Sequence, residues 1–190
     1  MHSSMKETAQ RQLIGIAIPT IRELRATALA CLSARASGEA DAVDALREAG
    51  FAGGPAIYEA FEQWLAETGS SANPSDRLAA ADLTIEEFGT RAARYFRDAG
   101  WGIVEFDGGE EEGIAVLSME HCWEVDQDGG QGQPSCHVTT GMLAAFFGEL
   151  AGYPVAVMET ECRSANAERC RFLLGNAEMM AFKWEELGRG

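Results

Sequence analysis

Residues 134–175 read PSCHVTTGMLAAFFGELAGYPVAVMETECRSANAERCRFLLG, and this stretch decides the fold. Its first part carries apolar side chains at helical spacing and ends at a glycine, which predicts a helix beginning at Cys136 or His137. Segments 155–161 and 169–174 follow on either side of a polar tip. They predict the two strands of an antiparallel hairpin, so the stretch predicts a helix followed by a hairpin.

Three cysteines and one carboxylate fall at the ends of these predicted elements. Cys136 precedes the helix, where the helix dipole and free N–H groups favour a thiolate. Glu159 and Cys162 flank one end of the first strand, and Cys170 begins the second, so antiparallel pairing brings the hairpin cysteines together. Three thiolates and a carboxylate around one point need a cation. Zinc, which prefers tetrahedral sulfur, nitrogen and oxygen ligands, is the natural occupant.

The same cysteines could instead be ordinary buried core residues. Spacing alone slightly favours that interpretation, because the sequence has no tight Cys-x-x-Cys pair. Glu161, His137 and the His121–Cys122 pair are competing ligands. Cys31 lies in an Ala/Leu-rich segment and is expected to pack in the core, and a reactive thiol at Cys122 is the less favoured interpretation.

The chain upstream of residue 101 is predicted to be mainly helical. The predicted elements are a strand over 14–18, helices over 20–36, 41–49 and 55–67, a loop over 68–82, and a helix over 84–100. Gly50 is expected to end the second helix, and Pro55 fits the first turn of the third. Thr84 and Glu87 form a capping-box pattern at the start of the fourth.

Strands dominate the following part. Segments 101–106 and 113–121 predict strands joined by an acidic, glycine-rich turn, and 123–125 is expected to extend the sheet. A last helix is predicted over 177–187. Helices followed by strands, one helix and more strands indicate an α+β fold in which helices cover an antiparallel sheet.

Length, composition and charge favour one compact domain over residues 1–190. It would comprise a frayed N-terminus (1–12), a mainly helical half (13–100), the sheet and helix with the zinc site (101–175), and a C-terminal segment (176–190). Thirty acidic against 15 basic residues give a net charge of −15, which argues against nucleic acid or a membrane as a partner.

Targeting and catalytic patterns are not found in the sequence. No membrane-length apolar run or secretory signal occurs, so we expect a cytoplasmic protein with reduced cysteines. Neither a Gly-x-Gly-x-x-Gly nor a Gly-x-x-x-x-Gly-Lys loop occurs, which favours a binding protein over an enzyme.

The quoted stretch resembles the 4-vinyl-reductase-like domain family. That family has a cysteine before a glycine-containing helix, a strand with Glu-x-x-Cys, a short polar loop, and a cysteine with an aromatic residue two positions later. The matching residues here are Cys136, Gly141, Gly152, Glu159, Cys162, Cys170 and Phe172. Residues 46–61, LREAGFAGGPAIYEAF, are similar to the helix–glycine turn–helix of TRAPP vesicle-tethering subunits, which share the fold.

This resemblance implies a function and a set of site residues. Sensor domains of this family in aromatic-responsive bacterial activators bind zinc through three cysteines and a glutamate, which map to Cys136, Glu159, Cys162 and Cys170. Four protein ligands make such a metal structural. The family also implies a small hydrophobic or aromatic ligand and a sensor or carrier role. The alternatives are an accessory protein of tetrapyrrole reduction and a TRAPP-like dimeric assembly subunit.

The ligand pocket and the dimer surface are the least determined features. Candidate pocket residues, which could equally be plain core, are Phe88, Ala92, Leu117, His121, Trp123, Phe146 and Val157. The resemblance implies a homodimer through N-terminal helices. Its candidate surface is Ile21, Leu24, Ala28 and Leu32, and ordinary core packing is again the alternative.

Overall fold

The structure is a computed structural model that describes residues 18–35, 39–68, 79–107, 112–125 and 132–187. Its helices are α1 (Ile18–Arg35), α2 (Glu39–Thr68), α3 (Ile85–Asp98), α4 (His137–Ala151) and α5 (Ala177–Leu187). Its strands are β1 (Ile103–Asp107), β2 (Ile114–Glu120), β3 (Ala156–Glu161) and β4 (Cys170–Gly175). Short 3-10 turns lie at Ala80–Asp82 and Arg163–Ala165. No helix in these ranges is long and apolar enough to cross a membrane.

The four strands form one antiparallel sheet in the order β1-β2-β4-β3, which confirms the predicted α+β class. One face of the sheet, here called the inner face, carries Leu117 opposite Phe172. Both side chains are fully buried, in a core that also contains Phe61 of α2, Phe96 of α3 and Phe146 of α4. On the other face, α5 packs Met179 and Met180 against the sheet. The sheet is therefore covered by helices on both faces.

The predicted break at Gly50 is wrong, because α2 runs without interruption from Glu39 to Thr68. A side chain at Gly50 would overlap the carbonyl oxygen of Val138 on α4, and one at Gly141 of α4 would overlap the carbonyl oxygen of Arg47 on α2. These glycines therefore allow two helix backbones to touch. Gly50, which the sequence predicted to end a helix, is instead a point of close contact between two helices.

Several other predictions need correction at their boundaries. Ile18 begins α1 instead of ending a strand, and residues 14–17 lie outside the described ranges. The predicted loop 68–82 contains a 3-10 turn near its end, and its residues 69–78 are also outside those ranges. The segment 123–125 forms a turn, not a strand, with the N–H of Trp123 bonded to the carbonyl of Trp101 at 3.1 Å.

Cys31 was expected to pack in the core, but it is exposed on α1. Alanine and leucine surround the whole circumference of this helix, so its composition does not mark one buried face. The capping box is confirmed. The hydroxyl of Thr84 accepts from the N–H of Glu87 at 3.3 Å, and the Glu87 carboxylate accepts from the N–H of Thr84 at 3.0 Å.

We expect Gly141→Ala to destabilise the protein, because its new methyl group would collide with the α2 backbone. Overpacking of this kind costs about 1–3 kcal/mol or more. Gly53→Ala on α2 is the matched control, because no atom lies within 4 Å of its new methyl group. This control should be neutral or stabilising by about 0.5–1 kcal/mol. Urea unfolding measures both variants, and equal unfolding free energies would contradict the close packing of α2 on α4.

Candidate metal centre and cavity

The structure brings Cys136, Glu159, Cys162 and Cys170 to one point. One ligand atom from each of the four lies within 4.8 Å of the others. The Sγ atom of Cys136 lies 3.8 Å from that of Cys162 and 3.6 Å from that of Cys170, and the last two are 3.9 Å apart. All three cysteines are fully buried. The group can therefore hold a metal ion.

Each member of this group is positioned by the end of a secondary-structure element. Cys136 is the N-cap residue of α4, and Cys170 is the first residue of β4. The ladder between β3 and β4 changes register just after Glu159. Cys162 then leaves β3, and its carbonyl accepts N–H bonds from Ala165 at 2.9 Å and Ala167 at 3.1 Å. This tight turn returns the chain to Cys170.

The carboxylate of Glu159 is only half satisfied. Its Oε2 accepts the N–H of Cys136 at 3.0 Å, whereas its Oε1 is buried without a hydrogen-bond partner. Buried carboxylate oxygens normally have partners, so an orphaned one points to a group that the polypeptide does not supply. Burial, followed by the nearby Cys162 charge, raises the pKa of Glu159 to about 9.

The thiols also cannot all ionise together without a cation. Hydrogen bonds from Cys136 and then Cys170 lower the pKa of Cys162. The pKa of Cys136 is raised by its hydrogen bonds to Cys122, Cys162 and Cys170. A bound cation would let all three thiols and the carboxyl group ionise, because it stabilises every thiolate and the carboxylate at once.

The competing ligands lie elsewhere. Glu161 is exposed and faces Arg171, with the nearest charged atoms 3.7 Å apart, and His121 is exposed. His137 is outside the group of four, and burial followed by the charge of Arg47 lowers its pKa to about 4.

Cys122 borders the group of four but does not belong to it. It is buried, and its Sγ lies 3.7 Å from that of Cys136, on the border of the group of four. Met119, three residues before Cys122, pairs with Cys170 across β2 and β4. This register brings Cys122 next to the group. That register is not readable from the sequence alone.

Glu124 is a buried residue whose capping role the sequence did not indicate. It is fully buried, and its carboxylate accepts the N–H groups of Val138 at 3.0 Å and Thr139 at 2.8 Å. The side chain of the N-cap residue Cys136 makes no capping hydrogen bond. Glu124, which lies outside the helix, accepts the free N–H groups of its first turn instead. Burial raises the pKa of Glu124 to about 7, although these N–H bonds act in the opposite direction.

Helix α1 fastens this region through two arginines. Arg22 Nε donates to the carbonyl of Trp123 at 2.8 Å, and Arg25 donates to the carbonyl of Ser135 at 3.3 Å. Arg25 also lies 4.0 Å from the Glu124 carboxylate, which places a positive charge beside a buried negative one. The turn after β2 and the residue just before Cys136 are therefore both tied to α1.

We expect Glu124→Gln to destabilise the protein by about 1–3 kcal/mol, because its amide nitrogen cannot accept an N–H bond at the start of α4. Glu120→Gln, four residues earlier on an exposed position of β2, should change stability by less than about 0.5 kcal/mol. Thermal and urea unfolding compare the two variants. Equal stability of both would show that Glu124 does not cap α4.

A cavity of about 890 Å³ lies at the other end of the inner face. Ala115 and Leu174, which pair across β2 and β4, belong to its wall, whereas Met119 and Cys170 pair at the end that carries the cysteine group. Its walls come from α3, the strand ends and the C-terminal end of α4. Their apolar members include Phe88, Ala93, Val104, Phe106, Phe147, Leu150 and Val155. The charged members are all acidic: Glu86, Glu105 and Asp107.

The structure does not bring the seven predicted pocket residues to one cavity. Only Phe88 lines the large cavity. Ala92, Leu117 and Phe146 are fully buried core residues, Trp123 packs edge-on against Trp101, and His121 is exposed. Val157 lines a separate depression of about 340 Å³ near Phe51. An aromatic stripe marks core packing, whereas a cavity is a gap between elements and leaves no local pattern.

The fold and the site together place this chain among domains with an antiparallel sheet whose inner face is covered by helices. A buried group of three cysteines and one glutamate lies at one end of the sheet. Residues 115–176 match the model of the vinyl-4-reductase domain family, so the resemblance to the 4-vinyl-reductase-like domain is confirmed over this segment. A search of curated proteins gave no significant match.

Solved structures share the fold. The phenol-responsive sensory domain of the transcription activator PoxR, solved with phenol, has a TM-score of 0.61 at 18% identity, covering 93% of this chain and 82% of that chain. Subunit 3 of the trafficking protein particle complex from Naegleria fowleri, covalently bound to palmitic acid, has a TM-score of 0.56 at 8% identity, covering 83% and 93%. A vinyl-4-reductase family protein from Methanocaldococcus jannaschii has a TM-score of 0.47 at 15% identity, covering 88% and 86%. The TM-scores of the first two show a common fold.

Proposed function

We propose that this chain is a small-molecule-binding domain, a sensor or carrier rather than an enzyme, whose fold is stabilised by a structural zinc ion. The observation that carries the proposal is the buried triangle of thiols next to an orphaned carboxylate oxygen. The match to the vinyl-4-reductase domain family and the likeness to a sensory domain solved with phenol support the ligand-binding half of it.

The spacing of the sulfur atoms fits zinc. A tetrahedral zinc site with metal–sulfur bonds of about 2.3 Å has sulfur–sulfur edges of about 3.8 Å. The three distances between Cys136, Cys162 and Cys170 range from 3.6 to 3.9 Å. The fourth ligand would be Glu159 Oε1, the atom that has no other partner. Four protein ligands leave no open position for a substrate, so the metal would join α4 to the β3–β4 hairpin.

We expect one zinc ion per chain in native mass spectra of protein purified without added metal or chelator. Cys162→Ser should lose the zinc and melt at a lower temperature, because removing one ligand weakens the site and leaves buried thiols without a cation. Cys31→Ser is the matched control, since this exposed cysteine lies far from the group in sequence and outside it in space.

Zinc retained by Cys31→Ser and lost by Cys162→Ser would support the assignment. Metal-free wild-type protein with reduced thiols would contradict it. So would a Cys162→Ser variant that keeps the full zinc content.

The cavity favours an uncharged hydrophobic or aromatic ligand over an anion. Its walls are mainly apolar, and its three charged lining residues are acidic. The described lining residues include no lysine, arginine or histidine. Of the three acids, Glu105 is already paired with Arg169, whose guanidinium lies 3.4 Å away. Carboxylate ligands would therefore meet repulsion at the rim without a compensating partner.

We expect 1-naphthol to bind and 1-naphthoate, which has a similar shape but a negative charge, to bind at least about tenfold more weakly. Ala93→Trp should fill part of the cavity and weaken 1-naphthol binding, because Ala93 belongs to its wall. Ala56→Trp adds the same side chain at an exposed position of α2 and should bind like wild type.

Isothermal titration calorimetry measures these affinities, with zinc content checked in each variant. Equal affinity of the two tryptophan variants would exclude the cavity as the ligand site. Preferential binding of 1-naphthoate would contradict the charge argument.

Two further proposals concern a homodimer and an accessory role in tetrapyrrole reduction. A homodimer through α1 is supported by Leu24, which is 60% exposed, while Ile21 of the same stripe packs partly against the core. An accessory role in tetrapyrrole reduction is supported only by the resemblance to the 4-vinyl-reductase-like family.

A further inference from the structure

Four buried cysteines lie together, although the proposed metal site uses only three sulfurs. Cys122 is 1% exposed, and its Sγ lies 3.7 Å from Cys136 Sγ and 3.8 Å from Thr139 Oγ1. It is not one of the four residues whose ligand atoms lie mutually within 4.8 Å. Cys122 thus contacts a sulfur of the proposed metal site but is not itself a ligand in that site.

The backbone holds Cys122 in this position through a tight turn after β2. His121 has a φ of 52°, a left-handed conformation that non-glycine residues rarely adopt. The Trp123 N–H then bonds to the carbonyl of Trp101 at 3.1 Å, and the Cys122 carbonyl accepts the N–H of Val125 at 3.2 Å. A strained residue persists when its surroundings fix it, so the inward direction of Cys122 is built into the turn.

We propose that Cys122 is the oxidation partner of Cys136: a peroxide converts the two thiols into a disulfide, which removes one metal ligand and releases the metal. The release step rests on the zinc site of the proposed function. The pairing of the two cysteines rests only on their contact in the structure.

The reaction proceeds in two balanced steps. The Cys136 thiolate attacks one peroxide oxygen, the O–O bond breaks, and a hydroxide or alkoxide leaves, which gives a sulfenic acid on Cys136. The Cys122 sulfur then attacks the Cys136 sulfur, the S–O bond breaks, and the departing hydroxide takes the thiol proton to form water. The two sulfurs lose two electrons together, and the peroxide gains them.

Cys122 is better suited to the second step than the other neighbours of Cys136. Cys162 and Cys170 lie at similar distances, 3.8 and 3.6 Å. In the proposed site, however, their sulfur lone pairs are committed to the metal. Attack by either of them would take a second ligand from the metal, whereas Cys122 has no metal bond to give up. Closing 3.7 Å to a disulfide bond of about 2.05 Å requires a small movement of both side chains.

The experiment treats the zinc-loaded full chain with hydrogen peroxide. All proteins carry Cys31→Ser, which removes the exposed cysteine as a source of intermolecular disulfides. Peptide mass spectrometry under non-reducing conditions identifies the first disulfide, and a chromogenic chelator follows zinc release. We expect a Cys122–Cys136 disulfide that forms together with zinc loss. Adding Cys122→Ser should preserve zinc binding and slow the release roughly tenfold.

A first disulfide joining two of Cys136, Cys162 and Cys170 would overturn the proposal, as would zinc release at the parental rate from Cys122→Ser. Cys122→Ala repeats the test without a hydroxyl group in a buried site, and the parental disulfide map decides the pairing even if neither variant folds. Untreated protein without zinc would instead contradict the proposed metal site. In that case the disulfide map would still test the pairing.

Discussion

Three thiols and one carboxylate converge on a single buried point, and the arrangement of the domain depends on that convergence. The four residues come from the N-cap of α4, from β3, from the turn after β3 and from the start of β4. Bringing them together fixes where α4 sits on the sheet. Burying four ionisable side chains together is unfavourable unless a cation compensates their negative charge. The raised pKa of Glu159 reflects this cost of burial.

Helix α4 runs from the cysteine group to the cavity. Glu124 caps its N-terminus, Gly141 lets its second turn touch the backbone of α2, and Phe147 and Leu150 near its C-terminus line the cavity. A ligand in the cavity would therefore contact the same helix that begins at Cys136. Anchoring this helix at one end by a metal would keep the cavity wall in place, which gives a structural metal a role in ligand binding.

Local signals in the sequence predicted the elements that local interactions create. The capping box at Thr84, the β3–β4 hairpin and the grouping of Cys162 with Cys170 all follow from neighbours in the chain. Residues whose role depends on distant partners were missed or misread. Gly50 is a contact with α4 and not a break, and Glu124 and Cys122 reach their partners only through the register of β2 and β4. The cavity had no sequence signal at all.

X-ray absorption at the zinc K-edge of the purified, reduced protein tests the central claim most directly, because it counts the atoms bound to the metal. We expect three sulfur atoms at about 2.3 Å and one oxygen at about 2.0–2.2 Å. Four sulfurs would mean that Cys122 replaces Glu159 and would contradict the ligand set. A zinc shell without sulfur, or protein without zinc, would contradict the account of a metal-stabilised domain.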